Sequence, residues 1–359
     1  MNKRIRVGFI GCGEVTQLLH LPTLRELPDL FEVTAFHDVS AKALNGTATA
    51  WPEASRHSAL ESLVADKQVD AVVIANPDAW HADTALMAMR GGKHVLIEKP
   101  VCVTRDEAEA LLTAEGECDV IVQVGYMRRH APAFIEAVQA LRDRSEPTTL
   151  ARVCDIIGPN ASYVDSTSRI VARADDIAKD VRDAGLRKLA CAYQSEIGVD
   201  SGPLARAYGL LLGLASHDTS VMRELIGTPS GVLYAKQHQG GRWITAAFDY
   251  GEFVCHLEVG LDQITRMDAK IEVFQPSRVL RVEFDSPYIR HQAAKLVTTR
   301  TVPPFGVSTS TSFPTRNDAF AAEWRAFHEH IVQGTPPKCS IADATEDLKL
   351  FREMIALMR

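Results

Sequence analysis

Between Arg4 and Val124, short β-branched apolar runs alternate with segments of helical spacing, and this alternation limits the first third of the chain to few folds. The apolar runs are Arg4 to Ile10, Phe31 to His37, Ala71 to Ala75, His94 to Glu98 and Val120 to Val124. Helical spacing covers Val15 to Leu27, Leu60 to Ala65, Asp83 to Arg90 and Arg105 to Glu115. Strands this short and apolar are buried on both faces, and helical crossovers between them make them parallel. The expectation is an α/β fold whose N-terminal part is a doubly wound parallel sheet of the Rossmann, nucleotide-binding kind.

After Gly125 the pattern changes. A helix is expected over Ala133 to Arg142 and a strand over Leu150 to Ile157. A polar, irregular stretch then runs from Gly158 to about Gly202, in which Asp175 to Lys188 has the pattern of a surface helix. Consecutive strand patterns follow at Val232 to Gln237, Trp243 to Tyr250, Glu252 to Gly260, Asp268 to Phe274 and Arg278 to Phe284. Short turns between them imply an open, mainly antiparallel sheet, one face on helices and the other available for self-association. Helices at Ala319 to Gln333 and Ala342 to Leu357 close the chain, and Ser308 to Ser312 reads as low complexity. The expected division is a dinucleotide-binding domain over 1–124 and an α/β substrate and oligomerisation domain over 125–359. The last helix, 342–357, has the option of packing back on the first domain.

The 359 residues suit two domains at about 150 residues each. Acidic residues (46) outnumber basic ones (39), which argues against a nucleic-acid partner. The seven cysteines show no zinc-ligand spacing, so no metal is expected and a reducing, cytoplasmic setting fits best. Lys3, Arg4 and Arg6 before Val7 to Cys12 raise the rival reading of an export signal, but Glu14 and the glycines interrupt the apolar run too early. No run approaches the ~20 apolar residues of a membrane span.

Gly11-Cys12-Gly13-Glu14-Val15-Thr16 joins the first strand to the first helix. Gly11 would permit the tight turn, and Gly13 would let a phosphate approach the helix N-terminus, where free N–H groups point. The third small position is Thr16, larger than the usual Gly or Ala. Asp38, with Val39 and Ser40 at the end of the second strand, is placed to accept from ribose hydroxyls. Its charge would repel a 2′-phosphate, and no Arg follows it, which favours NAD over NADP. The same residues can also cap the helix that starts near Ala41. Glu98-Lys99-Pro100 puts a lysine at the carboxyl edge of the sheet, where ligands bind, followed by a proline that fixes the backbone and could be cis.

Together with Ala75-Asn76-Pro77 and His81, Gly125-Tyr126-Met127-Arg128-Arg129, and Ser216-His217-Asp218 with Gly227, these motifs closely resemble the Gfo/Idh/MocA oxidoreductases. The resemblance implies a Rossmann domain binding NAD(P) and a second domain whose open sheet mediates homodimer or homotetramer contacts. It makes Lys99 the catalytic lysine and His217 the general acid/base. Tyr126 and Arg128 then fall in a segment lining a sugar pocket, and Ala75, Asn76, Pro77 and His81 in the loop beside the cofactor. Asp155, Asn160 and Tyr163 resemble pocket residues of some branches.

One departure stands out. The family's aspartate one turn before the histidine is Gly213 here. Either Gly209, Gly213 and His217 form a close-packed small face, or the glycines leave room for substrate while Asp155, Asp218 or the long insertion supplies the carboxylate. The reading is an NAD-dependent dehydrogenase acting on a secondary hydroxyl of a sugar, cyclitol or related polyol. One alternative is elimination or hydrolysis on a sugar with the hydride recycled; the other is a non-catalytic nucleotide-binding sensor.

Overall fold

The computed structural model describes residues 4–142 and 146–359. Six strands, β1 (Ile5–Ile10), β2 (Phe31–His37), β3 (Ser55–His57), β4 (Ala71–Ile74), β5 (His94–Ile97) and β6 (Val122–Val124), form one sheet in the order β3-β2-β1-β4-β5-β6. Every neighbouring pair is parallel, as the alternating pattern requires. β4 is buried throughout, and Phe9 of β1 stacks on Phe36 of β2 at 5.8 Å in the layer that Phe31, Trp324 and Phe327 complete. Only β3 lacks an apolar signature; its Ser-Arg-His sequence lies at the sheet edge with Ser55 and Arg56 exposed, and backbone pairing to β2 makes it a strand.

The second sheet contains β7 (Leu150–Ile157), β8 (Gly231–His238), β9 (Trp243–Asp249), β10 (Val254–Leu261), β11 (Met267–Phe274), β12 (Arg278–Phe284), β13 (Lys295–Val302) and β14 (Gly306–Ser312). Their order is β14-β13-β12-β11-β7-β10-β9-β8, antiparallel except where β10 runs parallel to β7. Strict alternation sends Val153, Ile271, Val282 and Leu257 to a buried face, and Arg152, Lys270, Glu283 and Glu258 to the other. The Ser/Thr tract is not irregular: it forms β14, an exposed edge strand paired along its length with β13.

The chain forms two compact units. Residues up to Gly125, Ser168–Asp200 and Glu323–Glu346 make the first; Tyr126–Thr167, Ser201–Ala322 and Asp347–Arg359 make the second. The boundary expected near 124 coincides with the first join, but Ser168–Asp200 and Glu323–Glu346 return to the parallel-sheet unit. The reason is chemical. Trp324 and Phe327 complete its core, and the stretch read as an irregular insertion contains the helices Asn160–Thr167 and Lys179–Ile197. Of these, the longer holds to the first unit through Glu196, which accepts from the backbone N–H of Arg105 at 3.0 Å, and Lys188, 2.5 Å from Asp83 and over the Trp80 ring.

Candidate active site

At the carboxyl edge of the parallel sheet, the turn after β1 is shaped by Gly11. Its φ of +96° and the approach of the Ala75 carbonyl, 2.5 Å from where a Cβ would stand, exclude any side chain. Gly13 is different: a Cβ there would meet nothing within 4 Å, so the space beside it is open to a ligand. Glu14 and Val15 begin the helix, whose first N–H groups lack intrahelical acceptors. Thr16 fits without strain on packing because its buried hydroxyl donates to the Gly11 carbonyl at 2.7 Å. These residues fit a pyrophosphate cradle.

Asp38 holds this turn in place. One carboxylate oxygen accepts from the Cys12 N–H at 2.6 Å and the other from the Ser40 N–H at 2.7 Å, which ties the end of β2 to the glycine turn. Cys12 is fully buried, and burial followed by the nearby Asp38 charge pushes its thiol far up, so it is a filler and no nucleophile. Ser40 is the N-cap of the helix Ala41–Ala48, accepting from the Ala43 N–H at 2.9 Å, while Val39 beside it is exposed. Beyond β4, Asn76 bonds Thr84, and His81 sets one ring nitrogen 2.7 Å from the Asn76 carbonyl and the other 2.7 Å from the Pro100 carbonyl. The histidine expected beside the cofactor thus spends its polar atoms bracing two loops of the edge. Pro77 leads into the short helix Asp78–Trp80.

Lys99 follows β5, and the Lys99-Pro100 peptide is cis. Its neighbour Glu98 is gripped from behind: Trp324 donates its indole N–H to Nδ1 of His20 at 3.2 Å, and Nε2 of His20 lies 3.0 Å from Glu98 Oε1. Burial pushes the Glu98 carboxyl up, but the His20 bond and the charge of Lys99 outweigh it and hold Glu98 below its ordinary value. In the same unit, Glu323 is fully buried; burial, then repulsion from Glu98, pushes it well up. The two acids of this unit are thus pushed in opposite directions, Glu323 up and Glu98 down. Neither His20, Trp324 nor Glu323 was singled out from the sequence, although a histidine and Gln17 at i, i+3 on the apolar side of a buried helix were a signal.

In the second unit, the guanidinium of Arg128 is buried between two carboxylates, 2.8 Å from Asp155 and 2.8 Å from Asp218, with its carbon 5.2 Å from the Phe284 ring centre. One buried cation cannot neutralise two buried anions. Burial, then Asp155, pushes the Asp218 carboxyl well above its ordinary value against the pull of Arg128, so a proton stays in the cluster. Both aspartates that could have replaced the family's carboxylate are thus committed to Arg128. Tyr126 is also committed: it is buried, and its hydroxyl donates to Asp347 at 2.8 Å, which also pairs with Arg223. Asn160 and Tyr163 lie on the helix Asn160–Thr167, Asn160 exposed and the Tyr163 phenol raised by burial and then Asp285.

His217 sits in the first turn of the helix Ser216–Ile226 and is buried. The straight i, i+4 line expected for Gly209, Gly213 and His217 is broken by a π-helical turn over Leu211–Ala215, which widens the helix just before the histidine. A Cβ added at Gly213 would meet nothing within 4 Å. The close-packing reading of this glycine is therefore not what the structure has; open space lies there instead. Among the described residues no group of three or more His, Cys, Asp or Glu could hold a metal, and no helix is long and apolar enough to cross a membrane.

Residues 5–126 match the model of an oxidoreductase family with an NAD-binding Rossmann fold, Gfo/Idh/MocA. Inositol 2-dehydrogenase 2 of Saccharopolyspora erythraea is similar, 36% identical over 138 residues that cover 38% of this chain and 40% of that protein. The chain thus matches well under two thirds of the length of such curated relatives. Among solved structures, levoglucosan dehydrogenase in complex with NADH and levoglucosan superposes with a TM-score of 0.75 at 17% identity, over 99% of this chain and 97% of that one. The 3-ketoreductase KijD10 of Actinomadura kijaniata, in complex with NADP, gives 0.73 at 18% identity over 99% and 98%. At such identity the likeness is one of fold, and the two neighbours carry different coenzymes.

Proposed function

We propose, from the match of residues 5–126 to the Gfo/Idh/MocA oxidoreductases with their NAD-binding Rossmann fold, an NAD-dependent dehydrogenase that oxidises a secondary hydroxyl of a sugar, cyclitol or related polyol, or reduces the ketone. The observation that carries this reading is the shared edge of the first sheet. The glycine turn follows β1 and Lys99 follows β5, with β4 between them, so pyrophosphate cradle and lysine lie two strand spacings apart, about 10 Å. The glycine turn would hold a dinucleotide at the same edge from which Lys99 would act.

NAD supplies the hydride acceptor when bound. The chain's own residues do the rest. Gly11, Gly13, Glu14 and Val15 receive the pyrophosphate, and Asp38 accepts from the adenosine ribose. Glu98 fixes the turn from which Lys99 stabilises negative charge developing on the substrate oxygen, and His217 takes or returns the hydroxyl proton. Arg128, with Asp155 and Asp218, braces the substrate side of the second unit, and Asn160 and Tyr163 offer hydroxyl-binding groups. The face of the second sheet that carries Arg152, Lys270 and Glu283 is the proposed self-association surface, checked by light scattering of the purified chain.

A library of sugars and polyols scanned for NAD reduction tests the reading. Accumulation of NADH with one of them supports it. Product formation without net NADH points to a recycled hydride, and NAD binding without turnover on any of them overturns the dehydrogenase assignment.

A further inference from the structure

The segment Val171–Asp176 lies on the parallel-sheet unit, where Val171, Ala172, Asp175 and Asp176 bond to the helix after the glycine turn and to the loop after β2. Gln17, on the helix that opens at the glycine turn, donates to the Ala172 carbonyl and to the Cys12 carbonyl at 2.7 Å each, and accepts from the Val171 N–H at 2.9 Å. Ala172 is buried and seats against Gly46, where an added Cβ would collide with it at 2.3 Å. From this anchor the chain delivers two carboxylates to the loop after Asp38. Asp176 accepts from the Ser40 hydroxyl and, at 2.9 Å, from the Lys42 backbone N–H; Asp175 lies 2.8 Å from the Lys42 ammonium.

A serine hydroxyl, a backbone N–H in the first turn of a helix and a lysine ammonium form the donor set with which a protein binds a phosphate. Here they follow within four residues of Asp38, the residue suited to the ribose hydroxyl that carries the extra phosphate of NADP. Yet all three donors are occupied by acids of the chain itself. We infer that Asp175 and Asp176 act as a built-in substitute for the 2′-phosphate, so that this strap, with Asp38, makes the chain select NAD over NADP. The inference rests on the proposed nicotinamide cofactor and adds to it a specificity determinant more than 130 residues from the glycine turn's own strand pair.

Two facts fit this role better than a structural one. The Lys42–Asp175 pair is more than half exposed on both sides, and such surface pairs add little to stability. Ser40 first, then the Lys42 N–H, hold the Asp176 carboxyl below its ordinary value, so it stays charged at neutral pH, where a competing phosphate dianion is repelled.

Fluorescence titration of the full chain with NADH and NADPH, for wild type and Asp175→Ala/Asp176→Ala, tests the inference. Wild type should bind NADH more tightly. In the double variant NADPH affinity should rise at least tenfold with NADH affinity within about twofold, and adding Lys42→Ala should reverse the gain. Unfolding temperature, read alongside, should be nearly unchanged. An unaltered NADPH-to-NADH ratio, or a wild type that binds both equally, overturns the role of the strap while leaving the dehydrogenase reading intact. If neither nucleotide binds the wild type, the cofactor assignment falls and the strap's role with it.

Discussion

Trp324 donates its indole N–H to Nδ1 of His20, and this bond fixes the proton of a neutral His20 on Nε2, the nitrogen facing Glu98. A tryptophan late in the chain thereby orients a carboxylate adjacent to Lys99. The chain of bonds lies within one unit and its inner members are buried, which makes each link costly to break.

His20→Leu removes the donor and leaves Glu98 with burial. The expected loss at pH 7 is about 1.5–3 kcal/mol, the worth of a hydrogen bond to a charged group. Because Glu98 is held below its ordinary value, its stabilisation is present above that value and is lost as pH falls through the lower folded one. The gap in unfolding temperature between wild type and variant should therefore shrink on acidification towards pH 4 and below. A gap independent of pH would assign His20 a packing role alone.

The Arg128 cluster has the opposite sign. Asp218 is raised in the folded chain, so its unfavourable ionisation costs stability as pH climbs above the ordinary aspartate range. Asp218→Asn mimics the protonated acid and should match or exceed wild-type stability at pH 7, with a flatter pH profile. Arg128→Met, which strands two buried carboxyls, should lose about 3–5 kcal/mol. Chemical denaturation of both variants at pH 5 and pH 8 measures the difference.

Asp38 ties the glycine turn to the loop after β2 and, in the proposed function, also meets the ribose, so Asp38→Ala should show two effects. Cys12 and Ser40 lose the acceptor that ties turn to loop, and the ribose loses a partner. NADH affinity should fall about tenfold to a hundredfold, at roughly 1.5–3 kcal/mol for bonds to a charged group. The NADPH-to-NADH ratio should rise as repulsion disappears, though less than when the strap acids are also removed. Calorimetric titration of both nucleotides checks the pair of effects.

Strands were legible where burial writes itself into residue type: the bounds of β2 in the parallel sheet and of β7 and β12 in the second sheet follow the apolar pattern residue for residue. Where pairing rests on the backbone ladder of an exposed edge rather than on apolar packing, as in Ser55–His57 and the Ser/Thr strand β14, composition carries no signal. The strap over Ser168–Asp176 was illegible for another reason: its polar residues read as solvent-exposed insertion, whereas contacts with Gln17, Ser40 and Lys42, over 130 residues away, give it a place. Of the candidate site residues, glycines and Lys99 were readable from local position. The commitments of Tyr126 to Asp347 and of Asp218 to Arg128 were not, since each partner is about 90 residues or more distant in sequence.

Lys99 and His217 serve one reaction in the proposed mechanism, and their removal should show it. Lys99→Ala takes away stabilisation of the developing alkoxide, a loss of about 2.7–4 kcal/mol when an oxyanion donor is removed. His217→Ala takes away the general base, a factor of about 10²–10⁴ in turnover, with partial recovery at high pH where the hydroxyl needs less help. If both act on one proton and hydride transfer, the double variant should lose less than the product of the single losses. Gly213 offers a third handle, since a Cβ at this position four residues before the histidine meets nothing within 4 Å. Gly213→Asp should fold normally and shift the pH profile of turnover upward, because a nearby negative charge favours the protonated imidazole. Steady-state rates across pH 6 to 10 for the four variants decide the matter: wild-type turnover in His217→Ala would make the histidine structural, and strict multiplicativity would separate it from Lys99.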